Sequence, residues 1–143
     1  MATELDHSFT TDKSIDDSFA AITDLEKVIP CVEGGHVTEV TGDDSVNAEI
    51  DIALGAMSMK FVGTVEVVEK DAAAHSAVLR VKSKEQGGEG HANAEVTFRL
   101  NDGGGEIHTT AQITGKAASM GEGVVVGVLD ALINDFTTKL GDA

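Results

Sequence analysis

An apolar segment near the end of the chain, KAASMGEGVVVGVLDALINDFTTKL (residues 116–140), has the strongest helical pattern of the sequence. On a helical wheel, one side of this segment holds Met120, Gly121, Val125, Val128, Leu129, Leu132 and Phe136. The other side holds Asp130, Asn134, Thr137 and Thr138, with Gly123 and Gly127 close to it. A period of about 3.6 residues is that of a helix packed on an apolar surface. The pattern predicts one long helix from Lys116 to Leu140, and that helix needs a partner surface elsewhere in the chain.

Most of the preceding chain alternates between apolar and polar residues with a period of two. In residues 46–54, for example, Val46, Ile50 and Leu54 face one way, while Asn47 and Glu49 face the other. Turn residues divide the chain after residue 34 into about six such segments, with breaks at 42–44, 55–56, 70–71, 86–88 and 101–105. Alternation with one polar face is typical of antiparallel strands.

The N-terminal residues add a strand and two short helices. Residues 4–11 alternate weakly, and Ser14 is placed to cap a helix over residues 15–22. Asp24 is the expected cap of a second helix, which Pro30 ends. We therefore predict a single α+β domain over residues 1–143. A curved antiparallel sheet of about seven strands wraps around the C-terminal helix in this prediction.

Composition excludes several classes of function. The net charge of −15 repels nucleic-acid phosphates. The lone Cys31 fits a reducing, cytoplasmic compartment, and the polar N-terminus does not resemble a signal peptide. No run of about 18 apolar residues is present, because charged residues interrupt the C-terminal segment.

The residues that could carry catalysis or bind a metal are scattered. The five histidines, His7, His36, His75, His91 and His108, lack metal-ligand spacing, so we predict no metal site. Cys31 has no neighbouring histidine in the sequence, and a small buried thiol is commoner than a reactive one. Carboxylates fall in turns or on outward positions, which provides no acid–base pair for an enzyme. The glycines at 121, 123 and 127 lack the spacing of a dinucleotide site and indicate either close helix–sheet approach or room for a ligand.

The inward positions favour a cavity, although most inward apolar residues in any domain are simply core. Several inward residues are small: Gly63, Gly90, Ala92, Ala94, Ala111 and Gly121. A helix packed over such residues leaves space, which Met57, Met59 and Met120 could line flexibly. Thr109 and His7 are the polar residues expected to face inward.

The order of elements resembles the helix-grip fold of the SRPBCC, START and Bet v 1 superfamily, and more narrowly the CoxG family of carbon monoxide dehydrogenase proteins. The similar stretches are DLEKVIPC (24–31), VTEVTGD (37–43), LGAMSMKFVGT (54–64), VVEKD (67–71), QGGEGHANA (86–94) and ITGK (113–116). Together they cover nearly the whole chain in order. The sequence departs from the family at Cys31, where glycine is usual, and at Ala56, where proline is common.

The resemblance implies a protein without catalytic activity of its own that holds a respiratory quinone, menaquinone or a similar one, and brings it to a molybdenum-containing carbon monoxide dehydrogenase. Family members often continue into a membrane-anchoring segment, which implies a place at the inner face of the cytoplasmic membrane. The lining expected for the quinone cavity is Phe9, Ile29, Met57, Met59, Phe61, Val65, Leu79, Val96, Phe98, Ile113, Met120, Val124, Val125, Val128, Leu129, Leu132 and Phe136.

Two other functions stay open at this stage. The protein could be an assembly or membrane-recruitment factor for the same dehydrogenase, acting through protein contacts without a ligand. It could also be a small enzyme of the polyketide cyclase kind, since one fold hosts many activities.

Overall fold

The computed structural model describes residues 2–54 and 57–142, without the side chains of residues 54, 57, 116, 117, 141 and 142. The turn expected at residues 55 and 56 therefore lies outside the described residues. The strands are β1 (Ala2–Thr10), β2 (Gly35–Gly42), β3 (Ser45–Leu54), β4 (Met57–Asp71), β5 (Ser76–Glu85), β6 (His91–Asn101) and β7 (Gly104–Ile113). The helices are α1 (Ile15–Thr23), α2 (Leu25–Val28), α3 (Lys116–Ser119) and α4 (Glu122–Asp142), and a 3₁₀ turn (Ile29–Cys31) follows α2.

The seven strands form one antiparallel sheet in the order β1-β7-β6-β5-β4-β3-β2. This confirms the sheet that the alternation predicts. Gly63 contributes to the curvature of β4, because a Cβ atom there would lie 1.9 Å from the carbonyl oxygen of Lys82. A register shift between Val67 and Glu69 bends the same strand again. The sheet therefore curves and leaves β1 and β2 as its two edges.

Helix α4 closes the open side of the curved sheet. Its nearest neighbours in the fold are β1, at one edge of the sheet, and the 3₁₀ turn. The 3₁₀ turn in turn contacts β2 at the other edge. The helix thus spans the sheet from edge to edge, as the helix-grip architecture requires. No helix in the described part of the chain has the length and apolar character needed to cross a membrane.

The single long C-terminal helix predicted from the sequence is wrong in one respect. The segment breaks into α3 and α4 at Gly121, whose φ of +100° only glycine adopts easily. The amide nitrogen of Gly121 donates to the carbonyl oxygen of Ala118 at 3.2 Å, which ends the first helix. Apolar periodicity continues across such a break, so the wheel alone does not reveal it.

Both helices begin where predicted, after Ser14 and Asp24, although only the first cap makes a side-chain hydrogen bond. Ser14 Oγ accepts a hydrogen bond from the amide of Asp17 at 3.1 Å, which caps α1. Asp24 precedes α2 but makes no side-chain cap bond. Pro30 lies in the 3₁₀ turn that follows α2.

The interior contains two groups of buried apolar residues. The large core cluster lies under α1, α2 and the C-terminal half of α4, and its best-buried members include Ile22, Phe98 and Ile107. The small core cluster consists of Met59, Phe61, Ile113 and Val125, near the α3–α4 junction.

Candidate functional site

An apolar cavity of about 170 Å³ lies between the 3₁₀ turn and strands β3, β4 and β5. Members of both core clusters border it, with Ile29 and Val65 from the large cluster and Phe61 from the small one. Its described lining is Ile29, Val32, Gly35, Ala48, Glu49, Ile50, Phe61, Gly63, Thr64, Val65, Val81 and Ser83. The cavity therefore occupies the space where the two clusters fail to meet.

The size of this cavity limits what it holds in the present conformation. Pockets for drug-sized ligands are about 300–1,000 Å³, whereas a cavity of about 150 Å³ accepts benzene. A volume near 170 Å³ therefore suits one aromatic ring or a short branched chain. A larger depression of about 540 Å³ on the outer face borders the charged or polar residues Asp6, Arg99 and His108. An apolar ligand favours the interior cavity.

Three of the residues predicted to line a cavity border this one: Ile29, Phe61 and Val65. The other predicted residues lie elsewhere in the interior or on its rim. The large core cluster contains Phe9, Leu79, Phe98 and Phe136, with Val96 packed against it, and the small cluster contains Met59, Ile113 and Val125, with Val128 and Leu129 against it. Leu132 is half-buried, and the side chain of Met57 lies outside the described residues.

Two predicted lining residues are on the outside. Met120 and Val124 are 36% and 43% exposed, which contradicts an inward position for them. The chain breaks at Gly121 between α3 and α4. A single helical wheel drawn through both helices therefore does not predict which side chains face the interior near this break. Their contact with a ligand stays a prediction. Among the described lining residues, none lies on α4.

Sequence reasoning left out several residues that border the cavity. Ala48 and Ile50 alternate inward on β3, but the expected lining did not include them. Val32 belongs to the irregular connection before β2 and Gly35 is the first residue of that strand, so neither lies within a periodic signal. The 3₁₀ turn brings that connection against the sheet, and the sequence contains no sign of this contact.

The glycines of α4 and of the break before it do not mark close helix–sheet approach. A Cβ atom at Gly121, Gly123 or Gly127 would meet no atom within 4 Å. The predicted alternative of close packing is wrong for these three positions. They leave open space beside the exposed Met120 and Val124.

Two polar side chains face the interior as predicted, and they make an unusual arrangement. His7 Nε2 lies 2.7 Å from Asp130 Oδ1 on α4, and the side chain of His7 is 8% exposed. Its other ring nitrogen, Nδ1, is buried without a hydrogen-bond partner among the described residues. The hydroxyl oxygen of Thr109, a residue 5% exposed, is equally buried and unpartnered there. Each such atom costs about 1–3 kcal/mol of stability, so native proteins keep few of them.

A buried carboxylate lies at the end of β5, although the sequence pattern predicts no carboxylate on the inward face. Glu85 ends the inward series of this strand and is 9% exposed. Gly88 and Gly90 make room for it, since a Cβ at Gly88 would lie 2.5 Å from Glu85 Oε2. The expectation that carboxylates fall in turns or on outward positions is wrong for this residue. Glu85 is one inward carboxylate, and an acid–base pair needs a second group beside it.

The remaining histidines form separate contacts rather than a metal centre. His36 Nε2 lies 2.9 Å from Glu49, His75 Nε2 lies 2.9 Å from Asp16, and His108 Nδ1 lies 2.6 Å from Asp6. His91 Nδ1 lies 3.4 Å from Thr114 Oγ1. Within the described residues, no three His, Cys, Asp or Glu side chains are grouped to hold a metal ion.

Cys31 is partly buried beside the large core cluster, and its thiol donates to the carbonyl oxygen of Lys27 at 3.3 Å. Burial raises the pKa of this thiol, and this effect outweighs the opposite influence of Lys13 and Lys139. A raised pKa keeps the thiol protonated near neutral pH, which is the opposite of an activated nucleophile.

Comparisons with known proteins agree with this architecture. A conserved protein from Geobacillus kaustophilus superposes with a TM-score of 0.77 at 21% identity, over 99% of this chain and 93% of that one. The Zhui aromatase/cyclase from Streptomyces sp. R1128 gives 0.63 at 12% identity, over 98% and 92%. A truncated norcoclaurine synthase from Thalictrum flavum gives 0.53 at 13% identity, over 96% and 92%. At these identities the likeness establishes the fold alone.

A search of curated protein sequences finds no match. The family model for the carbon monoxide dehydrogenase protein CoxG, however, matches residues 8–143. That range includes all seven strands in part or whole, the cavity and α4. On this match and this fold, the chain belongs to the carbon monoxide dehydrogenase CoxG family, within the helix-grip superfamily of SRPBCC and Bet v 1-like proteins.

Proposed function

We propose that this protein holds a respiratory quinone, menaquinone or a close relative, in its apolar interior and delivers it as electron acceptor to a molybdenum-containing carbon monoxide dehydrogenase. Family and fold make the chain a ligand-binding SRPBCC protein related to carbon monoxide dehydrogenase. The proposal adds the ligand and the direction of transfer. The observation that carries it is the cavity between the two core clusters, bordered almost wholly by apolar groups.

The chemistry of a quinone suits this interior. Burial of each methylene of an isoprenoid tail contributes about 0.8 kcal/mol, so a tail binds without specific contacts. The cavity of about 170 Å³ receives one ring, and the rest of a longer ligand requires the surrounding elements to move apart.

The acidic surface suits docking to a basic patch on the dehydrogenase. A net charge of −15 accelerates association with a basic partner at low salt. In this proposal the protein works at the inner face of the cytoplasmic membrane, where quinone is stored. An accessory role without catalysis fits the family name.

The direct test is ligand analysis of the natively folded protein. Protein purified from a quinone-containing host is extracted with organic solvent, and the extract is analysed by mass spectrometry. We expect menaquinone in the extract and rebinding of added menaquinone to the emptied protein. Absence of both would leave the assembly-factor function, which requires no ligand.

A matched pair of substitutions on β3 tests whether the cavity is the binding site. Ala48 borders the cavity, whereas Ala53 on the same strand is exposed. A leucine at position 48 would occupy part of the cavity of about 170 Å³ and exclude the ring, so Ala48→Leu should weaken quinone binding about tenfold or more. Ala53→Leu, the same change outside, should leave the affinity unchanged, and thermal unfolding of both variants shows that they fold. Equal affinities in both variants would place the ligand elsewhere.

An enzyme of the cyclase kind would differ from a ligand carrier in having interior acid and base groups close together. Among the described residues, His7 on β1 and Glu85 on β5 are inward ionisable side chains on strands separated by β7 and β6, and the carboxylate beside His7 belongs to the exposed Asp130 on α4. Acid–base catalysis needs groups within hydrogen-bond reach of one reacting atom. This separation favours carriage of a ligand over its conversion.

A further inference from the structure

We infer that His7 and Thr109 form a polar anchor for one hydroxyl oxygen of the bound ligand, so that the protein prefers a hydroquinone to the corresponding quinone. The inference rests on the proposed function, because it assumes a ring ligand in the interior. It goes beyond that function by assigning the head-group contacts and a preference for one redox state.

The first support is the placement of the two side chains. In the β1–β7 register, His7 lies opposite Ile107, and Leu5 lies opposite Thr109. His7 and Thr109 are therefore diagonal neighbours on the inward face of an antiparallel pair, close enough for both side chains to reach one group. Both present a buried polar atom without a partner among the described residues, namely Nδ1 and Oγ1.

The second support is the chemical character of those atoms. The Asp130 carboxylate accepts a hydrogen bond from His7 Nε2 at 2.7 Å. In the neutral imidazole the proton then resides on Nε2, so Nδ1 is an acceptor. The Thr109 hydroxyl can donate. An acceptor beside a donor complements a hydroxyl group, which donates through its hydrogen and accepts through its oxygen.

A quinone carbonyl fits the same pair less well. It has no hydrogen to give to His7 Nδ1, so it accepts from Thr109 alone and leaves the imidazole nitrogen unpaired. An unpaired buried acceptor is unfavourable, so the oxidised ring should bind, but less tightly than the reduced one. The anchor therefore discriminates between the reduced and the oxidised ring through one hydrogen bond.

The anchor and the cavity are within reach of one ligand. Val81, which borders the cavity, pairs with Ala94, and Ala94 pairs with Ala111, two residues from Thr109 on the inward face of β7. Strands β5 and β7 are two strand spacings apart, roughly 10 Å. The small Ala94 and Ala111 side chains lie along this line, whose length is comparable to that of a two-ring head group with its first tail carbons.

The test compares three probes of similar shape under anaerobic conditions: menadiol, menadione and 2-methylnaphthalene. We expect the wild-type protein to bind menadiol about tenfold tighter than menadione, the effect of one well-placed hydrogen bond. Thr109→Val removes the donor, and Asp130→Ala releases the tautomer of His7. Both variants should lower the ratio of the two affinities toward one, with the affinity for 2-methylnaphthalene unchanged.

The outcomes separate this inference from the proposed function. If wild-type protein binds all three probes with similar affinity, or if the ratio survives in both variants, the anchor is wrong and the two atoms bind a buried water only. Binding of ring probes would still support the quinone carrier in that case. If none of the probes and no menaquinone binds, both proposals fail.

Discussion

The two parts of the interior differ in what fills them. The large core cluster takes four of the five phenylalanines, Phe9, Phe19, Phe98 and Phe136, and Phe98 packs edge-on against Phe136 with ring centroids 6.1 Å apart. The small cluster has only Phe61, and beside it lie the cavity and exposed helix residues. One end of the interior is therefore a densely packed apolar core, and the other end contains the cavity in which we propose that the ligand binds.

The largest expected effect comes from removing an aromatic ring from the large cluster. Phe98 is 1% exposed, and Phe98→Ala should lower the free energy of unfolding by about 3–5 kcal/mol through lost burial and a new cavity. Val128 packs against the small cluster but is partly exposed, so Val128→Ala should cost about 1 kcal/mol or less. Urea unfolding followed by circular dichroism measures both. Losses of similar size would show that the two clusters contribute alike to stability.

Much of this division could be predicted from the sequence, because alternation records which side of a strand is buried. The inward positions of Phe61, Phe98 and Thr109 follow from period two alone, and the burial agrees. The cavity could not be located in the same way. Its position depends on how the connection around Val32 and Gly35 packs on the sheet, and irregular segments have no period.

Polar contacts between residues far apart in the chain also could not be predicted from the sequence. Asp130 falls on the polar side of the helical wheel and is indeed exposed, yet its carboxylate contacts His7, which is 123 positions earlier in the chain. A one-dimensional pattern assigns a face to a residue but not a partner. Gly121 shows a related limit. A glycine inside an apolar run is compatible with a continuous helix or with a helix break, and its φ of +100° shows that the helix breaks here.

The second expected effect is a gain in stability when Thr109, one of the buried polar residues of this interior, is made apolar. Thr109 Oγ1 is buried without a described partner, and Thr109→Val replaces the hydroxyl by a methyl of the same shape. The free energy of unfolding should rise by about 1–3 kcal/mol in the ligand-free protein, because an unpaired buried hydroxyl is removed. The adjacent Thr110 is exposed, so Thr110→Val should change stability by about 0.5 kcal/mol or less. A destabilised Thr109→Val variant would mean that the hydroxyl has a partner in the ligand-free state.

A smaller effect concerns two exposed glycines, one in α4 and one at the break before it. A Cβ at Gly127 meets no atom within 4 Å, so Gly127→Ala should stabilise the protein by about 1 kcal/mol through lower chain entropy in the unfolded state. Gly121 has equally open surroundings but a positive φ, so Gly121→Ala should destabilise by about 1 kcal/mol. Thermal unfolding of the two variants should therefore shift in opposite directions. Stabilisation of both would mean that the break at Gly121 is not maintained in solution.

The smallest expected effect is on the rate at which the Cys31 thiol, at the border of the large core cluster, reacts with a labelling reagent. Burial raises the pKa of Cys31, and only the thiolate reacts with a disulfide reagent. Below its raised pKa the thiol is mostly protonated, so labelling by Ellman's reagent at pH 8 should be slower than labelling of glutathione. The rate should increase as the pH rises toward that pKa, and protein unfolded in guanidinium should react like glutathione. Fast labelling of the folded protein at pH 8 would mean that Cys31 is accessible, and that the large cluster opens where the 3₁₀ turn joins it.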